Sequence, residues 1–462
     1  MNTWEFIKEI VKNIKNPNLN KSALTSSNKN KLFYVSDQGD GKVKVVLPFV
    51  FRREDLIDLN SKGLEGSTAR IIECIKEEMK KGKFSPLSGN LGRRYRELYE
   101  PLTVVNCDMN IGSNLWRADR YNYIEGNRIH LLLRMIFSER DPRSIGRKID
   151  ELSQELEDYI DRISYSLLKK ENINIVNQKD LRNRLDTLDL VAFIGDNSKP
   201  ARSYTPVRRH FRIAGPKEGV NVPFITPREL NPVEVELYDG SVITGLGIKK
   251  REIFIITGRN AQGKTTLLEG IESGQDDHLL GDGREYIITT RDLAKITGGS
   301  MDMQGCDISL FFEKLPKGLK GTPKKVVGRA STSMTMAYRI QRAMTNGVDV
   351  ILIDEDNSAV NLLVSGLLSK WFEGVKSLSE IMMKEREKLT SAFIITTSSL
   401  DLLTALADRA IYLEDHEAKY LDLEYFREEL SKYYLELSRE LKRIGGDKGG
   451  GTTGSCKGSD MS

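Results

Sequence analysis

One short stretch limits what this chain can fold into more than any other. The apolar run Ile253 to Thr257 leads directly into Gly258-Arg259-Asn260-Ala261-Gln262-Gly263-Lys264-Thr265-Thr266, and the helix-forming LLEGIE follows. Glycines at 258 and 263 with Lys-Thr after them make a P-loop, and the flanks supply its strand-loop-helix context. The glycines let backbone N–H groups wrap phosphate oxygens at a helix N-terminus, where peptide dipoles favour negative charge. Residues Gly258 to Thr266 are therefore expected to bind ATP. Lys264 would reach the β and γ phosphates, and the Thr265 hydroxyl would ligate Mg2+.

Ninety residues after Lys264, the run VDVILIDED places Asp354 and Glu355 at the end of a second apolar strand. Carboxylates beside a phosphate loop have two uses: Asp354 fits the acid on the metal side, and Glu355 fits the general base that polarises the attacking water. Two more short apolar runs, EYIITT and SAFIITTS, are separated from these by helical stretches. Alternating buried strands and helices imply a largely parallel sheet, hence an α/β domain over residues 233–425.

The rest of the chain divides by texture. Residues 1–190 form an N-terminal accessory domain of mixed α and β character, basic overall. Within it, residues 32–51 alternate around a DQGDGK turn and read as a hairpin. Residues 143–170 carry Ile149, Leu152, Leu156 and Ile160 at helical spacing, a core or docking stripe. Residues 191–232 are a connecting segment rich in Arg and Pro. Residues 426–444 read as a charged C-terminal helix, and 445–462 as a disordered Gly-rich tail.

Composition excludes several classes. The longest apolar stretches, such as Val43 to Phe51, fall well short of the ~20 residues needed to span a bilayer. The first residues carry Glu5 and Glu9 among the apolar ones and do not read as a secretory signal, so a cytoplasmic address is expected. The four cysteines lie far apart and there are only four histidines, which argues against disulfide scaffolds and zinc sites. Charge is uneven: residues 1–230 hold 40 Lys and Arg against 31 Asp and Glu, and the remainder holds 30 against 35. A basic front suits a polyanion such as RNA or single-stranded nucleic acid; a solvated basic surface accounts for it equally. Arg202, Arg208, Arg209 and Arg212, interleaved with Tyr204, His210 and Phe211, fit base stacking and phosphate contact, or a linker covering the ATPase. Basic runs at Lys80, Lys81 and Lys83 and at Arg93, Arg94 and Arg96 join that surface only if the fold gathers them.

The run Asp354 to Asn361 (DEDNSAVN) resembles the DEPTSALD run of ABC-type ATPases, whose last four residues cross a dimer interface. The resemblance extends to the soluble family of predicted ATPases of the ABC class, through VAFIGDNSKPAR, HLLGDGREY, CDISLFFEKLP and ASTSMTMA, and covers about Val191 to Asp415. It implies an ABC-type P-loop domain, ATP hydrolysis with magnesium, and a homodimer in which Ser331 and Ser333 donate to the partner's nucleotide. It also implies action on nucleic acid, RNA favoured, because a member of that family belongs to an RNA-processing assembly. Two departures bear on turnover. Thr332 stands where the family's ASGS run has glycine, and Thr396-Thr397-Ser398-Ser399 stands where ABC transporters place a histidine. Gln304 falls roughly where a Q-loop glutamine would, Asp307 lies in a family-like run, Tyr238 where an aromatic would stack on adenine, and the GDGRE turn aims Arg284 at a phosphate or at a salt bridge.

The first functional expectation is therefore an ATP hydrolase acting on nucleic acid. A scaffold holding ATP as a slow switch is the second. A DNA-repair ATPase of the SMC or RecF kind is the third, and the ninety-residue spacing leaves it little room for a coiled-coil insertion. A membrane partner is not expected.

Overall fold

The computed structural model describes residues 3–25, 34–39, 41–85, 87, 122–202, 217, 221–316, 318–367 and 374–446. The chain forms two compact units. The first comprises residues 1–226, 231–249 and 265–293, and the second comprises 227–230, 250–264 and 294–462.

The first unit opens with helices α1 (Thr3–Asn13) and α2 (Lys21–Thr25), followed by β1 (Tyr34–Gly39) and β2 (Lys42–Arg52), the expected hairpin. Helix α3 (Leu64–Lys80), strands β3 (Tyr123–Glu125) and β4 (Arg128–Phe137), and helices α4 (Pro142–Arg162) and α5 (Tyr165–Arg184) follow. The four strands make one antiparallel sheet in the order β1-β2-β4-β3. Its core takes Val43, Val45, Leu47 and Phe49 from β2 and Ile149, Leu152, Leu156 and Ile160 from α4. Asp141 caps α4 by accepting from the N–H groups of Arg143 and Ser144, with Pro142 at the first helical position.

The helix expected over 143–170 is two helices. Ile163 and Ser164 adopt extended backbone, with ψ of 129° and 125°, and α5 begins afresh. Its buried face mixes polar side chains (Glu171, Asn174, Gln178, Arg182) with Leu168, Ile175 and Leu181, which hides it from a search for apolar periodicity.

The next strands are β5 (Leu190–Gly195), β6 (Val233–Glu236) and β7 (Val242–Lys249); β8 (Ile253–Gly258) belongs to the second unit and leads to α6 (Lys264–Ser273) and β9 (Ile287–Thr289). Within the first unit these make a second sheet, β6-β7-β5-β9, antiparallel throughout. The run EYIITT, read above as part of the parallel sheet, is thus β9 in an antiparallel one.

The second unit continues with β10 (Leu293–Ile296), β11 (Asp302–Cys306), β12 (Lys320–Thr322), β13 (Lys325–Arg329), α7 (Thr332–Thr345), β14 (Val350–Asp354), α8 (Val360–Leu363) and α9 (Leu378–Lys384). It closes with β15 (Ala392–Thr396), α10 (Asp401–Ala405), β16 (Arg409–Glu414), β17 (Glu417–Tyr420) and α11 (Leu423–Gly446). Its main sheet runs β10-β14-β15-β8-β16-β17. Strands β14, β15, β8 and β16 are parallel, and β17 turns back antiparallel. These parallel strands are buried almost throughout, as their unbroken Val and Ile runs require. Strands β11, β13 and β12 form a separate three-stranded antiparallel sheet. Among the described residues no helix is long and apolar enough to cross a membrane. The Gly-rich end from residue 447 lies outside the described residues.

Candidate active site

Strand β8 ends at Gly258, and the backbone there explains the residue. Gly258 has φ of +138°, and a Cβ would stand 2.5 Å from the Leu413 carbonyl oxygen on β16. Only glycine permits that approach. Ala261 and Gly263 also take positive φ, +64° and +95°, so the loop turns tightly before Lys264 opens α6. Positive φ at alanine is a sparsely populated state, of the kind that collects in ligand-binding loops. The Lys264 ammonium donates to the carbonyls of Gly258 at 2.7 Å and Arg259 at 2.8 Å, curled over its own loop. Arg259, Asn260 and Ala261 are exposed, Gln262 and Gly263 partly so. Thr265 and Thr266 follow Lys264 in the first turn of α6.

The carboxylates sit at the end of β14. Asp354 is buried; it accepts from the Thr396 hydroxyl at 2.8 Å and from the Asn357 amide at 3.2 Å. Asp354 and Thr396 are register partners on β14 and β15, so the parallel pairing itself builds this bond. Glu355 reaches the turn that follows β15. Its Oε2 accepts from the Thr397 hydroxyl at 2.8 Å and the Ser398 N–H at 2.6 Å, and its Oε1 accepts from the Ser399 hydroxyl. Burial alone would raise this carboxyl, but the bonds from Ser399, Ser398 and Thr397 favour its ionised form and hold it below the usual carboxylate range. Asp401 lies on the far side of the same turn; burial and then the charge of Glu355 push it up.

Ser331 caps α7, accepting from the Met334 N–H at 3.4 Å, and it is exposed. Ser333 donates to the Asn361 side chain at 2.9 Å, tying the start of α7 to the end of the DEDNSAVN run. Thr332, the departure from glycine, is accommodated elsewhere: a Cβ at Gly298 would stand 2.6 Å from the Thr332 methyl. The space given up at 332 is recovered at 298.

Several other sequence-predicted residues are held by contacts of their own. Arg284 is buried in the first unit, where it donates to both Asp282 oxygens at 2.6 and 3.0 Å; the salt bridge, not a phosphate, is its partner. Arg202 joins the same carboxylate at 2.6 Å, and burial, then the Arg284 guanidinium, bring it down to about 10. It is therefore withdrawn from the stacking surface, while Tyr204 to Arg212 lie outside the described residues, as do Arg93, Arg94 and Arg96. Lys81 and Lys83 pair with Glu78. Tyr238 is exposed and accepts from Asn60 at 3.2 Å within the first unit. Gln304 is exposed on β11, and Asp307 caps a turn by accepting from the Ser309 N–H at 2.9 Å.

Sequence reasoning missed the turn Thr397 to Ser399 as the partner of Glu355, and it missed His416. The latter sits at φ of +69° between β16 and β17, its N–H donating to the Gln262 side chain at 3.4 Å and its ring Nδ1 3.7 Å from where a Gly263 Cβ would be. The signal available was the hairpin pattern of YLEDHEAKY around Asp415-His416.

The donor set of this loop fits a nucleoside triphosphate: backbone N–H groups of a loop turned by positive φ at Gly258, Ala261 and Gly263, a lysine, and a helix N-terminus. Thr265 carries a hydroxyl and Asp354 a carboxylate, oxygen donors of the kind magnesium prefers.

Comparison with known proteins agrees. A model of the ABC ATPase family, described as a P-loop domain, matches residues 165–444. Uncharacterized protein MJ1628 of Methanocaldococcus jannaschii is 64% identical over 441 residues, covering 94% of this chain and 98% of that one. Elongation factor 3 of Gonapodya prolifera is 25% identical over 158 residues, 30% of this chain and 14% of its own length. Among solved structures, cbiO1 from Clostridium perfringens, part of the ABC transporter complex cbiONQ, is 15% identical, with 46% of this chain and 94% of that chain covered at a TM-score of 0.29. The ADP conformation of MJ1267, an ATP-binding cassette of an ABC transporter, is 13% identical, with 40% and 87% covered at 0.25. With a P-loop ending β8, an acid pair ending β14 and a family match over more than half its length, the chain belongs to the ABC ATPase family of P-loop proteins.

Proposed function

We propose that this chain binds ATP with magnesium at Gly258 to Thr266 and hydrolyses it, working as a nucleotide-closed homodimer on nucleic acid, with RNA favoured over DNA. The observation that carries the hydrolytic part is the joint placement of Asp354 and Glu355 at the carboxyl end of β14, in the same parallel sheet as the strand that delivers the P-loop. Backbone N–H groups of the loop and Lys264 would orient the phosphates. Magnesium, when bound through Thr265 and Asp354, offsets charge on the phosphate oxygens. Glu355 would accept the proton of the attacking water, which requires it to exchange hydrogen bonds with Thr397, Ser398 and Ser399 for one to water.

Dimerisation is supported by the exposed Ser331 and by the Ser333–Asn361 bond, which joins the two segments that resemble interface elements of the family. Action on nucleic acid is supported by the excess of cations in residues 1–230. A second reading, ATP as a slow switch, is favoured by the number of donors already on Glu355 and by hydroxyls in place of a histidine after β15.

The test is ATP hydrolysis by wild type and Glu355→Gln, with and without RNA, at two salt concentrations. RNA stimulation that fades with salt and vanishes in the mutant supports the enzyme. Tight ATP binding with negligible turnover in both proteins, whatever the RNA, supports the switch.

A further inference from the structure

The second half of the chain is acidic overall, yet residues 314–348 hold eight cations (six Lys and Arg up to Arg329, then Arg339 and Arg342) and no acid. The fold concentrates three of the eight on one surface. In the sheet β11-β13-β12, Val326 points inward and is fully buried, so Lys325, Val327 and Arg329 point outward, and all three are exposed. Lys320 and Thr322 on β12 lie opposite Val327 and Lys325, on the same outer face. Gln304 and Asp302 lie opposite Val327 and Arg329 on β11. Lys324, at the β12–β13 turn, is exposed as well, and its charge acts on the Asp307 carboxyl. Lys320, Lys325 and Arg329 have no ion pair among the described residues, although Asp302 is the register partner of Arg329.

We propose that this outer face binds the phosphate backbone of a nucleic acid. The inference rests on the nucleic-acid part of the function proposed above and assigns it a place that the sequence had not. Cations along a strand are separated by its rise: Lys325 and Arg329 stand ~13 Å apart, about four phosphates of a stacked strand. The face carries no aromatic ring, so contact is to phosphates rather than to bases and is independent of sequence. It has one exposed apolar side chain, Val327, too little for insertion into a lipid surface. Arg329 is followed directly by Ala330 and the Ser331 cap of α7, so a polyanion here adjoins the segment proposed to meet the partner's nucleotide.

The experiment compares the full chain with a Lys320→Glu/Lys325→Glu/Arg329→Glu variant and with the milder Lys320→Gln/Lys325→Gln. The probes are labelled oligouridylate, oligothymidylate and a DNA duplex, with polyglutamate and phosphatidylserine vesicles alongside, at two KCl concentrations. Binding of a fluorescent ATP analogue monitors folding and should not change. The reversal is expected to lower nucleic-acid affinity about tenfold or more at low salt and to flatten the log–log salt slope by about 2, three phosphate contacts at ~0.7 each. The glutamine variant should fall between. The two single-stranded probes and the duplex then report which nucleic acid is preferred. Unchanged affinity and slope in the reversal overturn this surface and leave the nucleic-acid function standing. Absence of binding to every nucleic acid by wild type overturns both. Binding of polyglutamate or vesicles more tightly than nucleic acid, lost on reversal, overturns it in favour of an acidic protein or a membrane.

Discussion

Replacing Ser399 with alanine is expected to make Glu355 a stronger base. The Ser399 hydroxyl serves Oε1, whereas Thr397 and Ser398 both serve Oε2, so the substitution removes the side-chain donor to Oε1 and leaves those to Oε2 in place. A hydrogen bond to a charged group contributes about 1.5–3 kcal/mol. Glu355 is only half-buried and water replaces part of the lost donor, so about 1 kcal/mol is the appropriate figure. That amount comes off the ionised form alone. If half of it reaches the transition state for proton transfer, turnover at the pH plateau rises about twofold. The sign of the pH effect is fixed: donors to the ionised form hold the carboxyl low, so losing one shifts the acid limb of the rate profile to higher pH. The assay is phosphate release at saturating ATP from about pH 4.5 to 8, a range that brackets ordinary carboxylates. Wild type, Ser399→Ala and Ser399→Thr are compared; threonine keeps the hydroxyl and should restore the wild-type limb. An acid limb at the same pH in wild type and alanine variant would refute the reasoning.

Glu355→Gln should keep ATP binding and lose turnover about 10²- to 10⁴-fold, measured by nucleotide titration and phosphate release. Gly298→Ala should cost about 1–3 kcal/mol in urea unfolding, because its Cβ meets the Thr332 methyl, and the cost should shrink in a Thr332→Gly background. Asp282→Asn should destabilise by about 3–5 kcal/mol near neutral pH, since Arg202 and Arg284 would stay buried without their carboxylate. Burial alone would raise the Asp282 carboxyl, but Arg284, His278 and Arg202 hold it far below the ordinary range. Its stabilising contribution is thus present above the unfolded carboxylate value and fades as pH falls through the folded one, so the two unfolding curves should converge in acid.

The phosphate loop and the acid pair were legible because their chemistry needs contiguous residues: Gly258 to Thr266 must be a tight loop, and Asp354-Glu355 must follow a buried strand. The partners of those residues were not legible, because strand pairing supplies them. Thr396 meets Asp354 only through the β14–β15 register, and Ser399 meets Glu355 across 44 positions. His416 arrives beside the loop by way of the β16–β17 turn. Arg284 shows the same dependence: the GDGRE turn aims it at a phosphate or at a salt bridge, and the fold brings it to Asp282. Helix α5 escaped for a related reason, since beside Leu168, Ile175 and Leu181 it buries Glu171, Asn174 and Gln178 in a hydrogen-bonded network with Arg70 and the His278 backbone.

The order of the main sheet has a mechanical corollary. Strand β15 lies between β14 and β8, so the acids and the phosphate loop are held about 10 Å apart, two interstrand spacings. The interposed strand acts as a shim that sets the width of the catalytic slot, and its far end is the turn Thr397 to Ser399. Substitution there is expected to retune the grip on Glu355 without touching either jaw.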